Sequence, residues 1–335
     1  MVSLNLSGRP GVVFVISQPR AGSTLLQTML ASHPQITAPG ETWLMLPLIH
    51  AVGGSLAAAD APYCGKLAEE AIQCFAAEHL DRGLCSIHRE IGAAATKIYD
   101  SVRERSGADV VVDKTPRYYW VIDDLLRFMP DCRIVLLVRN PLAVLSSIIA
   151  TWASNSLGNL SGYRADLLEA PARLANAMQY DDERIQTIHY ESLVSTPDRV
   201  LGALQGFMNV EVMNGLANYG AAPKRRFGDP VGIHGHAAPI LDSVDKWQSH
   251  ASRSPVVWRL LDDYRKVLGG PLLGRLGYCD DQLRHVLQSM KPAGVSLAPS
   301  LETQLRRKPI EPLRSVLRLR NSCAMKLSNL VAKAA

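Results

Sequence analysis

The chain has 335 residues, with 36 Lys and Arg against 31 Asp and Glu for a net charge of +5, and 47% of its residues are hydrophobic. A chain of this length buries roughly three quarters of its unfolded surface, so it needs no staple; its six cysteines are scattered, with no Cys-x-x-Cys pair and no Cys/His group at zinc-finger spacing. Eight of the basic residues lie in 301–335 against two acids, which leaves the rest nearly neutral and speaks against a nucleic-acid surface.

No run approaches the roughly 18 apolar residues of a membrane span. The opening residues Met1 to Pro10 lack the apolar run of a signal peptide. These features predict a soluble, cytoplasmic protein with reduced thiols.

The first element is the apolar run Val12-Val13-Phe14-Val15-Ile16, a buried strand, followed by Pro19-Arg20-Ala21-Gly22-Ser23-Thr24 and a helical stretch beginning Leu25-Leu26. Strand, small-residue loop and helix in this order make a phosphate site, because backbone N–H groups and the positive end of the helix dipole face the same point. The loop departs from the triphosphatase pattern Gly-x-x-x-x-Gly-Lys-Ser/Thr: Ser17 replaces the first Gly and Ser23 the Lys. The cation is Arg20 instead, so ATP is not the expected ligand.

About seventy residues rich in Ala and Leu follow, with helices predicted over 63–81 and 91–104. Such an insertion serves as an acceptor wall or as padding. Further apolar runs at 110–112, 134–138 and 186–189 read as buried parallel strands, each followed by a helical pattern. The fold expected is α/β, a central parallel sheet flanked by helices of the P-loop nucleotide-binding type, with a helical insertion and a basic tail. Ligands of such sheets bind outside the carboxyl ends of the strands, which puts Arg20, Asp113, Lys114, Arg139 and Tyr190 on one rim.

Lys114 reaches a bound anion from there, or is a solvated strand end. After the third long strand, Asn140 is a good N-cap and Pro141 suits the first helical position. Arg139 and Ser147 then either grip one phosphate from two sides or are a surface arginine and a small packing residue. A Gly- and His-rich stretch, 227–236, reads as a surface loop over the site. A boundary is expected near Lys291-Pro292-Ala293-Gly294, dividing a domain of 1–290 from a tail of 291–335. The tail spaces Leu313, Val316, Leu317, Leu327 and Leu330 with basic residues between, a pattern suited to peripheral membrane contact or to docking on the body.

Taken together, these segments resemble the sulfotransferases that use 3′-phosphoadenosine 5′-phosphosulfate (PAPS), over residues 10 to about 280 and in the family's order. Arg20 in the first loop, His33-Pro34 and Gly40-Glu41-Thr42 look most like the tyrosylprotein sulfotransferase and bacterial branches. The resemblance implies that Arg20, Ala21, Gly22, Ser23 and Thr24 bind the 5′-phosphosulfate and that Arg139 and Ser147 bind the 3′-phosphate. It places Tyr190 near the adenine and reads Ser243-Val244-Asp245-Lys246-Trp247 as a late loop that closes over the nucleotide through Ser243 and Lys246.

Arg20 and Lys114 would neutralise the leaving oxygen, and Glu41 would be the base for an in-line transfer that requires no metal. Glu41 has a structural reading too, as an acid in the first turn of a helix beginning near Thr42; His33, His50, His88, His234 and His236 are alternative bases. The aromatics Trp43, Tyr118, Tyr119, Trp120 and Trp152 line an acceptor pocket or pack in the core. The acceptor expected is a small-molecule, carbohydrate or lipid hydroxyl. The competing functions are a P-loop small-molecule kinase, with Asp113 the one obvious acid for magnesium, and a non-catalytic nucleotide-binding protein of the same fold.

Overall fold

The computed structural model describes residues 8–50, 65–154, 156–220 and 238–306, with backbone alone for 65–69. The 227–236 loop with His234 and His236 and the tail pattern beyond 306 lie outside these residues.

Five strands form one parallel sheet: β1 Val12–Ser17, β2 Ile36–Thr37, β3 Val110–Lys114, β4 Arg133–Val138 and β5 Ile185–His189, in the order β2-β3-β1-β4-β5. Every residue of β1, β3 and β4 is buried, as the unbroken apolar runs require of strands covered on both faces. Four of the strands lie where the sequence reading put them, but β5, expected to be buried, is the edge strand and is mostly half-buried because only β4 pairs with it. The fifth, β2, has only two residues, too short to leave a pattern, and owes its existence to pairing with Val110 and Val111.

The helices among the described residues are α1 Ser23–Leu30, α2 Met45–His50, α3 Gly65–His79, α4 Leu84–Ser106, α5 Ile122–Phe128, α6 Pro141–Trp152, α7 Arg164–Ala177, α8 Tyr190–Ser195, α9 Pro197–Phe207, α10 Asp242–Arg253, α11 Pro255–Arg275, α12 Asp280–Ser289 and α13 Leu301–Arg306. Alternate strand residues feed two cores. Phe14, Ile16, Val111, Ile134 and Leu136 pack on one face with Tyr118, Leu125 and Phe128, while Val13, Val15, Val112 and Val135 pack on the other with Leu26, Met29 and Leu204. A third cluster joins Leu145 and Ile148 of α6 to Trp258, Leu261 and Leu287, and takes in Val295, Leu301 and Leu305.

Three sequence expectations are corrected. The helix after Glu41 begins at Met45 rather than near Thr42, so Glu41 lies in an irregular segment and not in a first helical turn. Residues 243–247 are helical, inside α10, instead of a loop. The helix expected over 91–104 runs from Leu84 to Ser106.

Within α4, Gly92 lies against the end of α5, where an added Cβ would come 1.7 Å from the carbonyl oxygen of Phe128. A backbone oxygen cannot swing aside, so Gly92→Ala should force the two helices apart and lower unfolding stability by about 3 kcal/mol. Thermal unfolding checks this; an unchanged midpoint would contradict the close approach.

Candidate active site

In the order β2-β3-β1-β4-β5 the chain leaves β1 to one side for β2 and β3 and returns to the other for β4, so the crevice at the carboxyl end of β1 is the topological switch point. The loop leaving β1 turns sharply: Ala21 N–H donates to the Gln18 carbonyl at 3.2 Å, and both Arg20 (φ 72°) and Gly22 (φ 97°) are left-handed. For Arg20 this conformation costs on the order of 1 kcal/mol or more, and the surrounding contacts hold it. The Gln18 side chain donates to the Asp166 carbonyl at 2.9 Å, tying the loop to α7. The N-cap of α1 is Gly22, which has no side chain to accept from the first N–H groups at Ser23 and Thr24.

Lys114, the last residue of β3, is fully buried, and its Nζ donates to Thr24 Oγ1 at 3.2 Å and to Glu41 Oε1 at 2.6 Å. A buried ammonium is costly unless paired, and the Glu41 carboxylate supplies the pair. The second carboxylate oxygen accepts from the Trp43 indole N–H at 3.2 Å. Trp43 is 37% exposed with left-handed backbone (φ 56°), and the Arg117 guanidinium lies 5.6 Å from its ring centroid. Arg117 is itself fixed by a two-pronged ion pair with buried Asp166, at 3.0 and 2.7 Å.

Across the loop, Arg20 Nε donates to Ser147 Oγ at 3.2 Å and its guanidinium stands 5.5 Å from the Trp152 ring. Ser147, expected to share a phosphate with Arg139, is thus joined to Arg20. Arg139 donates to the Arg20 carbonyl at 3.1 Å and to the Ser243 carbonyl at 2.8 Å, while its guanidinium rests 4.1 Å from the Tyr190 centroid. Its Nε is buried and has no hydrogen-bond partner among the described residues, and burial, aided by Arg20, pulls its pKa below the usual guanidinium value. An incompletely paired buried cation favours an anion beside it.

Tyr190 donates to Ser243 Oγ at 2.7 Å, and that hydroxyl donates on to the Ile240 carbonyl. Asn140 caps α6 as expected, accepting from Leu142 N–H at 3.0 Å, with its own N–H held by Glu191. Lys246 is exposed on α10, and its charge, after burial, lowers the pKa of His250, whose Nδ1 pairs with Ser146 Oγ at 2.9 Å.

Of the alternative bases, His33 is buried with both ring nitrogens engaged: Nδ1 accepts from Gln35 N–H and Nε2 donates to the Glu211 carbonyl. It pins the turn before β2. His88 stacks on Phe128 at 4.5 Å in α4, and burial lowers its pKa. Tyr118 and Tyr119 are core residues rather than pocket walls. Asp113 is fully buried and accepts from Thr42, Tyr99, Thr115 and Tyr118. That engagement removes it as a magnesium holder. Trp43's bond to Glu41 and the Gln18 tie escaped the sequence reading, which treated the aromatics as a group; the only available signal was the adjacency of Trp43 to Glu41.

Comparison with known proteins bears on the fold and the family. The model of the Sulfotransferase family matches residues 10–214, a span that contains the loop after β1, Glu41, Lys114, Arg139 and Tyr190. The nodulation protein NoeE of Sinorhizobium fredii (strain NBRC 101917 / NGR234) is 30% identical over 316 residues, covering 85% of this chain and 70% of that protein. Protein-tyrosine sulfotransferase 1 of Danio rerio is 22% identical over 282 residues, covering 80% and 72%. The solved sulfotransferase domain from the curacin biosynthetic pathway superposes with a TM-score of 0.50 at 25% identity, covering 81% of this chain and 99% of that domain. With the loop after β1 at the switch point of a parallel sheet and a family match over residues 10–214, the chain belongs to the sulfotransferase family.

Proposed function

We propose that this sulfotransferase moves the sulfuryl group of PAPS to an acceptor hydroxyl by in-line displacement, with Glu41 as the base. The observation that carries the reading is Lys114, whose one ammonium bonds both Thr24 of the anion loop and the Glu41 carboxylate. A cation shared between the donor loop and a carboxylate is where an in-line transfer needs it, since negative charge grows on the leaving oxygen as the acceptor loses its proton.

The residues present suit such a donor. Gly22, Ser23 and Thr24 offer uncapped N–H groups to the 5′-phosphate, with Arg20 and Lys114 as the neighbouring cations. Arg139, whose buried Nε has no partner among the described residues, is the cation for the 3′-phosphate. Ser147, through Arg20, and Tyr190 with Ser243, through Arg139, orient these arginines; Lys246 adds positive charge at the rim of α10. PAPS, when bound, supplies an activated sulfuryl group. The protein orients it, screens its charge and takes the acceptor proton on Glu41.

Half-exposed Trp43 beside Glu41 gives the acceptor an apolar face, which suits a small-molecule, carbohydrate or lipid hydroxyl. The kinase alternative is disfavoured by the engagement of Asp113. A non-catalytic binder would have no use for a carboxylate held against Lys114.

Thermal stabilisation by adenosine 3′,5′-bisphosphate, compared with ADP, ATP and adenosine 5′-phosphate with and without magnesium, tests the donor. A ligand at a hundred times its dissociation constant adds about 2.7 kcal/mol, a rise of several degrees. Only the 3′-phosphorylated nucleotide should stabilise, and Arg139→Ala should abolish the shift. Stabilisation by ATP with magnesium would replace this reading with the kinase.

A further inference from the structure

Asp113 has no part in the chemistry just described, yet it is the best-connected buried acid among the described residues of the site. Its Oδ2 accepts from Thr42 Oγ1 at 2.5 Å, Tyr99 Oη at 2.7 Å and Tyr118 Oη at 3.0 Å, and its Oδ1 accepts from Thr115 Oγ1 at 3.0 Å. Three of these four hydroxyls accept in turn from backbone amides: Trp43 N–H bonds Thr115 at 3.3 Å, Leu44 N–H bonds Thr42 at 3.1 Å, and Met45 N–H bonds Tyr118 at 3.1 Å.

Three successive amides, those of Trp43, Leu44 and Met45, are therefore held, through one hydroxyl each, by a single carboxylate. The proton directions follow from the acceptor. A carboxylate can only accept, so each hydroxyl must donate inward and turn a lone pair outward to the amide. Hydroxyls that donate to a charged group become better acceptors, which strengthens the outer bonds.

The neighbour of Asp113 completes the grip. Successive strand residues point to opposite faces, so Asp113 and Lys114 reach the same segment from the two sides of the sheet. Lys114 takes the Glu41 side chain, and Asp113 takes the backbone that follows it.

We propose that Asp113 is a positioning residue for sulfuryl transfer: through Thr42, Thr115 and Tyr118 it fixes residues 42–45 and so holds the Glu41 carboxylate in place against Lys114. This rests on the reading of Glu41 as the base. Burial raises the Asp113 pKa above the usual carboxylate value, and the four hydroxyls that donate to it act against that rise and favour the ionised form the arrangement requires. An asparagine there would present N–H groups to hydroxyls that must donate, and would reverse or break the outer bonds.

The test compares Asp113→Asn, Thr42→Val, Thr42→Ser and Glu41→Gln in the full chain, by kcat, KM for the donor, affinity for adenosine 3′,5′-bisphosphate and thermal midpoint. Asp113→Asn and Thr42→Val should lower kcat on the order of tenfold to a hundredfold, as a misplacement of order 1 Å does, while nucleotide affinity stays within about twofold. Thr42→Ser, which keeps the hydroxyl, should return kcat to near wild type.

If Asp113→Asn fails to fold, Thr42→Val decides, since it keeps the side-chain volume. Wild-type kcat in Thr42→Val, with Glu41→Gln inactive, would overturn the positioning role and leave the base reading standing. Parallel loss of kcat and nucleotide affinity would reduce Asp113 to general support of the fold and also overturn the proposal. Full activity in Glu41→Gln would remove the base reading, and the proposal with it.

Discussion

Replacing Lys114 with methionine is expected to lower turnover by about a hundredfold, the loss that follows removal of one oriented charge-stabilising donor from a transition state, about 3 kcal/mol. Methionine keeps the stem volume in a site where the lysine is fully buried, so packing is conserved and the ammonium alone is removed. The consequences are then specific. Thr24 Oγ1 and Glu41 Oε1 lose their common donor, and the anion loop is no longer coupled to the carboxylate. Glu41 keeps the Trp43 indole N–H and, with its side chain 17% exposed, can recruit water, so stability should suffer less than catalysis. Steady-state rates of sulfated-product formation, set beside the thermal midpoint, separate the two effects. Near wild-type turnover would move the leaving-group role to Arg20 alone.

Gly22→Ala should raise the dissociation constant for adenosine 3′,5′-bisphosphate on the order of a hundredfold, a change of about 2.7 kcal/mol in binding. Two costs combine. At φ 97° a Cβ is disfavoured by about 1–2 kcal/mol. The same Cβ would stand 2.4 Å from Cδ2 of Tyr190, well inside contact distance, which adds overpacking of about 1–3 kcal/mol. Tyr190 cannot turn away freely, because its hydroxyl bonds Ser243 and its ring carries the Arg139 guanidinium at 4.1 Å. A shift of the ring therefore displaces the proposed 3′-phosphate cation while the loop strain disturbs the 5′ end. Calorimetric titration measures the affinity; unchanged binding would show that the loop relaxes without involving Tyr190.

Much of the frame was legible in the chain because it rests on local chemistry. Runs of β-branched residues buried on both faces fit central parallel strands, which is why β1, β3 and β4 stood out, whereas β5 lies at the sheet edge and is mostly half-buried. Asn140 and Pro141 announce a helix start through capping and a fixed φ, and α6 begins there. The sharp loop between β1 and α1 was readable from Arg20 and Gly22 between a strand and a helix, and the family followed from the order of such pieces.

What the chain alone could not decide depends on partners far away in sequence. Two residues of β2 become a strand only when β3 arrives beside them. Asp113 looked like a metal-type acid until Thr42, 71 residues earlier, and Tyr99 turned their hydroxyls onto it. Ser147, paired with Arg139 by the resemblance, also accepts from Arg20, 127 residues away, a contact that spacing along the chain does not show. The segment 243–247 resembled a loop and proved to be helix, since α10 packs Trp247 and Ala251 into the third core. Local propensity and burial pattern are properties of a short stretch of chain. The identity of the acceptor for each buried donor is set by topology, and that choice makes Glu41, Lys114 and Asp113 one arrangement.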